Sequence, residues 1–93
     1  MHASIWTFQG DPDKLLHSYG AMFADGPVDR MRAHLCLRTD TGMIVVDTCP
    51  SREVFEGWAA GPFPELRRRY GLPDPSHVED HPVYAAIVEG HRI

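Results

Sequence analysis

The stretch Met31-Arg32-Ala33-His34-Leu35-Cys36-Leu37-Arg38-Thr39-Asp40-Thr41-Gly42-Met43-Ile44-Val45-Val46-Asp47-Thr48 decides the fold. Two strand-like runs, Met31–Leu37 and Met43–Thr48, flank Thr39-Asp40-Thr41-Gly42, a hairpin turn signal. Pairing Arg38 with Met43 sets His34 opposite Asp47 and Cys36 opposite Val45. One face then carries Arg32, His34, Cys36, Arg38, Met43, Val45 and Asp47, and the other Ala33, Leu35, Leu37, Ile44 and Val46. A bulge at Gly42 would instead slide the strands by one residue and set His34 against Thr48. Met43-Ile44-Val45-Val46 is apolar at successive positions, whereas a strand with one wet face alternates. This strand is therefore expected to be covered on both sides, by helices on one and by a partner subunit on the other.

Upstream of the hairpin, His2–Phe8 is rich in β-branched and aromatic residues and ends in the turn residues Gln9-Gly10-Asp11-Pro12, which predicts a strand. Asp11 as cap, Pro12 at the first helical position and Asp13 at the positive end of the dipole predict a helix start. Leu15, Leu16, Tyr19, Met22 and Phe23 form one apolar stripe, and Gly26-Pro27 ends it. Downstream, Ser51 caps a second helix with Glu53 in its first turn and Val54, Phe55 and Trp58 on its apolar face. Gly61-Pro62-Phe63-Pro64 breaks this helix, and a short piece from Glu65 to Tyr70 stops at Gly71. Leu72–Ser76 reads as loop. Val83–Val88 reads as the last strand, with Pro82 blocking earlier pairing. The order strand, helix, strand, strand, helix, strand is the split βαβ arrangement: an α+β, ferredoxin-like βαββαβ domain with two helices on one face of a four-stranded antiparallel sheet.

The chain of 93 residues is enough for one domain, residues 1–93. Hydrophobic residues at 43% and charged residues at 24% argue for a globular domain and against disorder. A formal net charge of −4 argues against nucleic-acid binding. The one basic run, Arg67-Arg68-Arg69, reads as a solvated helix face. No apolar stretch approaches the roughly 18 residues of a membrane span. Met1–Trp6 lacks the basic-then-apolar pattern of a signal peptide. Two cysteines, Cys36 and Cys49, without a Cys-x-x-Cys spacing read as reduced thiols of a cytoplasmic protein.

Three parts of the chain carry a resemblance to a known family: the opening strand His2–Phe8, the hairpin around Asp40-Thr41-Gly42, and Asp47–Phe55 running from strand into helix. Over nearly its whole length the chain resembles the dimeric α+β-barrel superfamily and its small antibiotic-biosynthesis-monooxygenase-like proteins. The resemblance rests on element order. It implies a homodimer with two sheets packed face to face, and a small-molecule cavity between each sheet and its helices. Members include cofactor-free monooxygenases, polyketide cyclases, lactone isomerases, haem-degrading enzymes and proteins of no known activity, so the fold leaves function open. The quinone-forming monooxygenases and haem degraders of this type commonly use an asparagine and a tryptophan. Trp6 and Trp58 offer an indole, but the chain has no asparagine, and its sole side-chain amide, Gln9, sits at the end of the first strand.

In the unbulged register His34 and Asp47 form a candidate dyad, since a carboxylate orients an imidazole for general-base work near neutral pH. The same pairing is common as a buried structural contact. His77, Glu79, Asp80 and His81 bring four metal-ligand types into five residues. They lie in a segment not expected to be helical, so their spacing fixes no coordination geometry and no metal is expected. His81, beside Pro82 at a strand mouth, is the better catalytic candidate. His17 is expected at a helix surface, and His2 and His91 near the termini in solvent. Trp6, Tyr19, Phe23, Phe55, Trp58 and Tyr84 either line a pocket or fill the core. Cys36 reads as a small buried hydrophobe, and Cys49 precedes a helix start that would lower its pKa.

The reading that joins these residues is a homodimer holding a small apolar organic molecule between sheet and helices, with no cofactor. As an isomerase- or cyclase-type enzyme it would use His34 or His81 as acid and base, Asp47 to orient His34, and Trp6, Tyr19, Trp58 and Tyr84 to shape the pocket. The alternatives are a cofactor-independent monooxygenase and a non-catalytic dimeric binding or accessory protein.

Overall fold

The computed structural model describes residues 1–24 and 32–93. Its main sheet has four antiparallel strands in the order β2-β3-β1-β4: β1 (His2–Gln9), β2 (His34–Thr39), β3 (Gly42–Cys49) and β4 (His77–Pro82). Three helices accompany it: α1 (Pro12–Ala24), α2 (Arg52–Ala60) and α3 (Pro62–Arg69). A two-stranded ribbon, β5 (Ile87–Val88) with β6 (His91–Arg92), ends the chain. The order β-α-β-β-α-α-β is compatible with a ferredoxin-like fold but adds a helix to the two expected. Gly61-Pro62 does not merely end α2. Pro62 opens a new helix at its first position, where a missing N–H costs nothing.

The local signals act as their chemistry requires. The Asp11 carbonyl accepts the Leu15 N–H at 3.0 Å, and the Ser51 hydroxyl accepts the Val54 N–H at 3.3 Å. At the end of α3, Gly71 takes φ +75, a left-handed turn that glycine adopts without strain. It lets the N–H groups of Gly71 and Leu72 reach back to the carbonyls of Arg68 and Arg67. Leu72 is thereby turned into the core at 3% exposure. The expected helix stop at Gly26-Pro27 and strand start at Met31 lie outside the described residues.

The hairpin adopts the unbulged register: Arg38 pairs with Met43 and His34 with Asp47. Gly42 is required there, because a Cβ would sit 1.9 Å from the Phe8 carbonyl oxygen. Strand alternation turns His2, Ser4, Trp6 and Phe8 of β1 inward. Trp6, Phe8, Met43 and Val45 meet Leu15, Phe63 and Leu72 in the core. On the opposite face Leu35 and Leu37 are exposed while Ile44 and Val46 are half-buried, so within one chain that face stays open.

The last strand of the sheet is not Val83–Val88. His77–Pro82 pairs with β1 in its place, Ala3 against His81 and Trp6 against Val78. Pro82 does not block this pairing, because β4 is an edge strand and a missing N–H on its outer side breaks no ladder bond. The apolar Val83–Val88 runs past the sheet, and only Ile87 and Val88 pair, in the small ribbon.

Candidate functional site

No residue of α2 is fully buried, though Phe55, Trp58 and Ala59 pack against the core. Between sheet and helices lies a cavity of about 400 Å³. Trp6, Phe8 and Val45 line it from the sheet, Tyr19, Met22 and Phe23 from α1, and Val54, Phe55 and Trp58 from α2. The aromatic rings meet at tilted angles, Trp6 to Phe63 at 4.8 Å and Trp6 to Phe55 at 5.8 Å between centroids. Such tilted arrangements are favoured for aromatic pairs. Among the described residues no arginine or lysine lines the cavity.

One end is polar. The strand register brings Asp47 beside His34, and its Oδ1 lies 3.0 Å from His34 Nδ1. The Tyr19 hydroxyl of α1 lies 2.6 Å from His34 Nε2. A carboxylate only accepts, so Nδ1–H donates to Asp47, and in the neutral imidazole Nε2 then carries the lone pair. Tyr19 then donates its O–H to Nε2. The result is a directed chain, Tyr19 to His34 to Asp47, with all three side chains on the cavity wall. Phe23 packs 4.9 Å from the imidazole and shields it. Burial, with the neighbouring charges of Cys36 and Asp47, pushes the Tyr19 pKa up to about 12. The phenol therefore keeps its proton at neutral pH.

The expected dyad is thus in place, and Trp6, Tyr19, Phe23, Phe55 and Trp58 line the cavity with it. His81 and Tyr84 lie elsewhere. Pairing with Ala3 turns His81 to the open face, where it is exposed and 3.3 Å from Glu79. Tyr84 is fully exposed, because the segment expected to be a strand does not join the sheet. Alternation also sends His77, Glu79 and His81 to one side of β4 and Asp80 to the other. His2 is buried rather than solvated: it points inward from β1, with Nε2 3.5 Å from Asp80. His17 is exposed on α1 and His91 on β6, as expected.

Neither cysteine is an activated thiolate. Burial pushes the Cys36 thiol up. Burial does the same to Cys49 despite its place before α2, and its S–H donates to the Ser51 carbonyl at 3.2 Å. Two features escaped the sequence reading. Tyr19 was legible as a lining residue, but its bond to His34 depends on how α1 docks on β2. Ser4 also lines the cavity, and its period-two relation to Trp6 on β1 was the signal that could have found it. Comparison with known protein families, curated proteins and solved structures finds no match to this chain.

Proposed function

We propose that this protein binds a neutral, largely apolar organic molecule in the helix–sheet cavity and moves a proton on it without a cofactor, as an isomerase- or cyclase-type enzyme. The observation that carries this reading is the Tyr19–His34–Asp47 chain at the polar end of an otherwise apolar, aromatic cavity. An anionic ligand would meet Asp47 with no cation among the described lining residues to offset the repulsion. A neutral carbonyl compound meets no such penalty.

In the proposed reaction the ligand displaces the Tyr19 hydroxyl from His34 Nε2. Nε2 takes a proton from the carbon next to the carbonyl, the C–H electron pair moves into the new C=C bond, and the carbonyl π pair moves onto oxygen. Asp47 holds the imidazolium that forms, its Nε2 proton exchanges with solvent, and a proton from Nε2 is returned to carbon as the electron pair on oxygen re-forms the carbonyl. We also propose that the chain acts as a homodimer of the dimeric α+β-barrel type, with the face bearing Leu35 and Leu37 closed by a second copy. Two exposed leucines on a strand flanked by the half-buried Ile44 and Val46 support that reading.

The test is hydrogen–deuterium exchange at the carbon next to the carbonyl of α-tetralone, followed by NMR in heavy water. The protein should raise the rate above buffer, and His34→Gln should abolish the gain. A rate unchanged by His34→Gln overturns the proposal.

A further inference from the structure

Ser4 lies in the middle of a polar row that crosses the whole sheet. The registers align His34 of β2, Asp47 of β3, Ser4 of β1 and Asp80 of β4 on the helix side. Ser4 is only 4% exposed, yet it lines the cavity. Its Oγ accepts the Trp6 indole N–H at 2.8 Å. A hydroxyl carries one proton to donate, and that of Ser4 has no acceptor among the described residues. Of the flanking carboxylates, Asp47 is bonded to His34 at 3.0 Å, and Asp80 faces His2 at 3.5 Å and Arg52 at 4.0 Å without a hydrogen bond to Ser4. The indole thus fixes the serine oxygen as an acceptor and leaves its proton for whatever enters the cavity. A buried donor without a partner is costly, so an incoming acceptor gains from meeting it.

We propose that Ser4 is the hydrogen-bond donor that holds the ligand's carbonyl oxygen, a role that rests on the neutral-carbonyl reading of the cavity. Ser4 and His34 stand two strands apart in one row, about 9–10 Å between Cα atoms. Both line the same cavity with Asp47 between them in the row, so a ligand whose carbonyl oxygen meets Ser4 would bring its neighbouring carbon to Nε2 in place of the Tyr19 hydroxyl. When His34 takes the proton and the electron pair reaches oxygen, the negative charge develops opposite the serine O–H. A hydrogen bond to charge is stronger than one to the neutral carbonyl, so Ser4 favours the enolate over the ketone. Trp6 acts through Ser4 as a positioning residue, since its N–H sets which way the hydroxyl points.

The experiment uses α-tetralone isotopically labelled at its carbonyl carbon, bound to the full chain and read by difference infrared spectroscopy. In wild type the carbonyl band should sit below its position in Ser4→Ala. Ser4→Thr, which keeps the hydroxyl, should restore the lower band. Binding should weaken about 3- to 10-fold in Ser4→Ala, and the exchange rate of the bound ketone should fall further. Far-UV circular dichroism and the thermal midpoint establish that each variant is folded. Trp6→Phe, which leaves the serine in place but frees its oxygen, gives a second route, and its carbonyl band should broaden. Tetralone bound by wild type and Ser4→Ala with the same carbonyl frequency overturns the role of Ser4 and leaves the cavity reading intact. Absence of tetralone binding by wild type overturns that reading, and the role of Ser4 with it.

Discussion

Tyr19 and Asp47 lie on different elements, yet each bonds one nitrogen of the same imidazole. Their contributions to stability should therefore be coupled. Tyr19→Phe removes the 2.6 Å bond and leaves Nε2 facing a mostly apolar wall, with the His34 side chain 15% exposed. A lost hydrogen bond and a partly unsatisfied nitrogen together cost about 1–2 kcal/mol. Asp47→Asn keeps the shape of the partner but not its acceptor-only character. The amide can accept from Nδ1–H or, turned over, donate to Nδ1 and drive the ring proton to Nε2. Once that happens Nε2–H donates to the Tyr19 oxygen instead, a neutral bond without the strengthening that the Asp47 carboxylate lends through the ring. The cost of Tyr19→Phe should then shrink in the Asp47→Asn background, by about 0.5–1.5 kcal/mol.

The assay is a double-mutant cycle by urea unfolding near neutral pH, with thermal midpoints as a check. Each kcal/mol shifts the midpoint of a domain this size by about 4–8 °C. Protein concentration must be held constant, because self-association raises apparent stability. If Tyr19→Phe costs the same in both backgrounds, the imidazole does not transmit the carboxylate's choice of tautomer. The directed chain is then wrong.

Three further outcomes are expected. Changing Leu35 and Leu37 together to lysine places two charges on the open face and should convert the protein to single subunits in sedimentation equilibrium; wild type that is already a single subunit at micromolar concentration defeats the dimer reading. The Tyr19 pKa, about 12 when folded against an ordinary 10.0, is raised, so its contribution is full below about pH 10 and is lost as pH climbs through 12; wild type should lose stability over that interval more steeply than Tyr19→Phe, while the raised thiols of Cys36 and Cys49 affect both alike. Gly42→Ala drives a Cβ into the Phe8 carbonyl oxygen and should cost about 2–4 kcal/mol in chemical unfolding, with loss of the β-sheet signal if the hairpin slips.

The hairpin was legible because two independent signals agree on its register. The turn residues Thr39–Gly42 set the loop, and the unbulged pairing is favoured because it puts Leu35 and Leu37 on one face with Ile44 and Val46. The dyad followed from that register alone. β4 was illegible for the opposite reason. His77-Val78-Glu79-Asp80-His81-Pro82 is polar because it is an edge strand that packs inward chiefly through Val78, whereas the apolar Val83–Val88 imitates a strand and forms little of one. Composition cannot rank a polar segment with a partner above an apolar one without. The cavity and the Tyr19–His34 bond depend on where helices dock, a long-range outcome with no periodicity of its own.

The same alternation that builds the site also builds the open face, and this ties the two together. Among the described residues β2 is an edge strand whose ladder runs only to β3. His34 and Cys36 point toward the helices, and Leu35 between them points the other way, 58% exposed. Within one chain the end of β2 that carries His34 is held by the ladder, by Tyr19 and by Asp47. If a second copy closes over Leu35 and Leu37, it grips this strand from its other face and limits the motion of the imidazole. Ligand affinity should then rise with protein concentration through the dimerisation range and level off above it. Affinity independent of concentration across that range would mean that the sheet's two faces work separately, and that His34 owes its geometry to the hairpin and α1 alone.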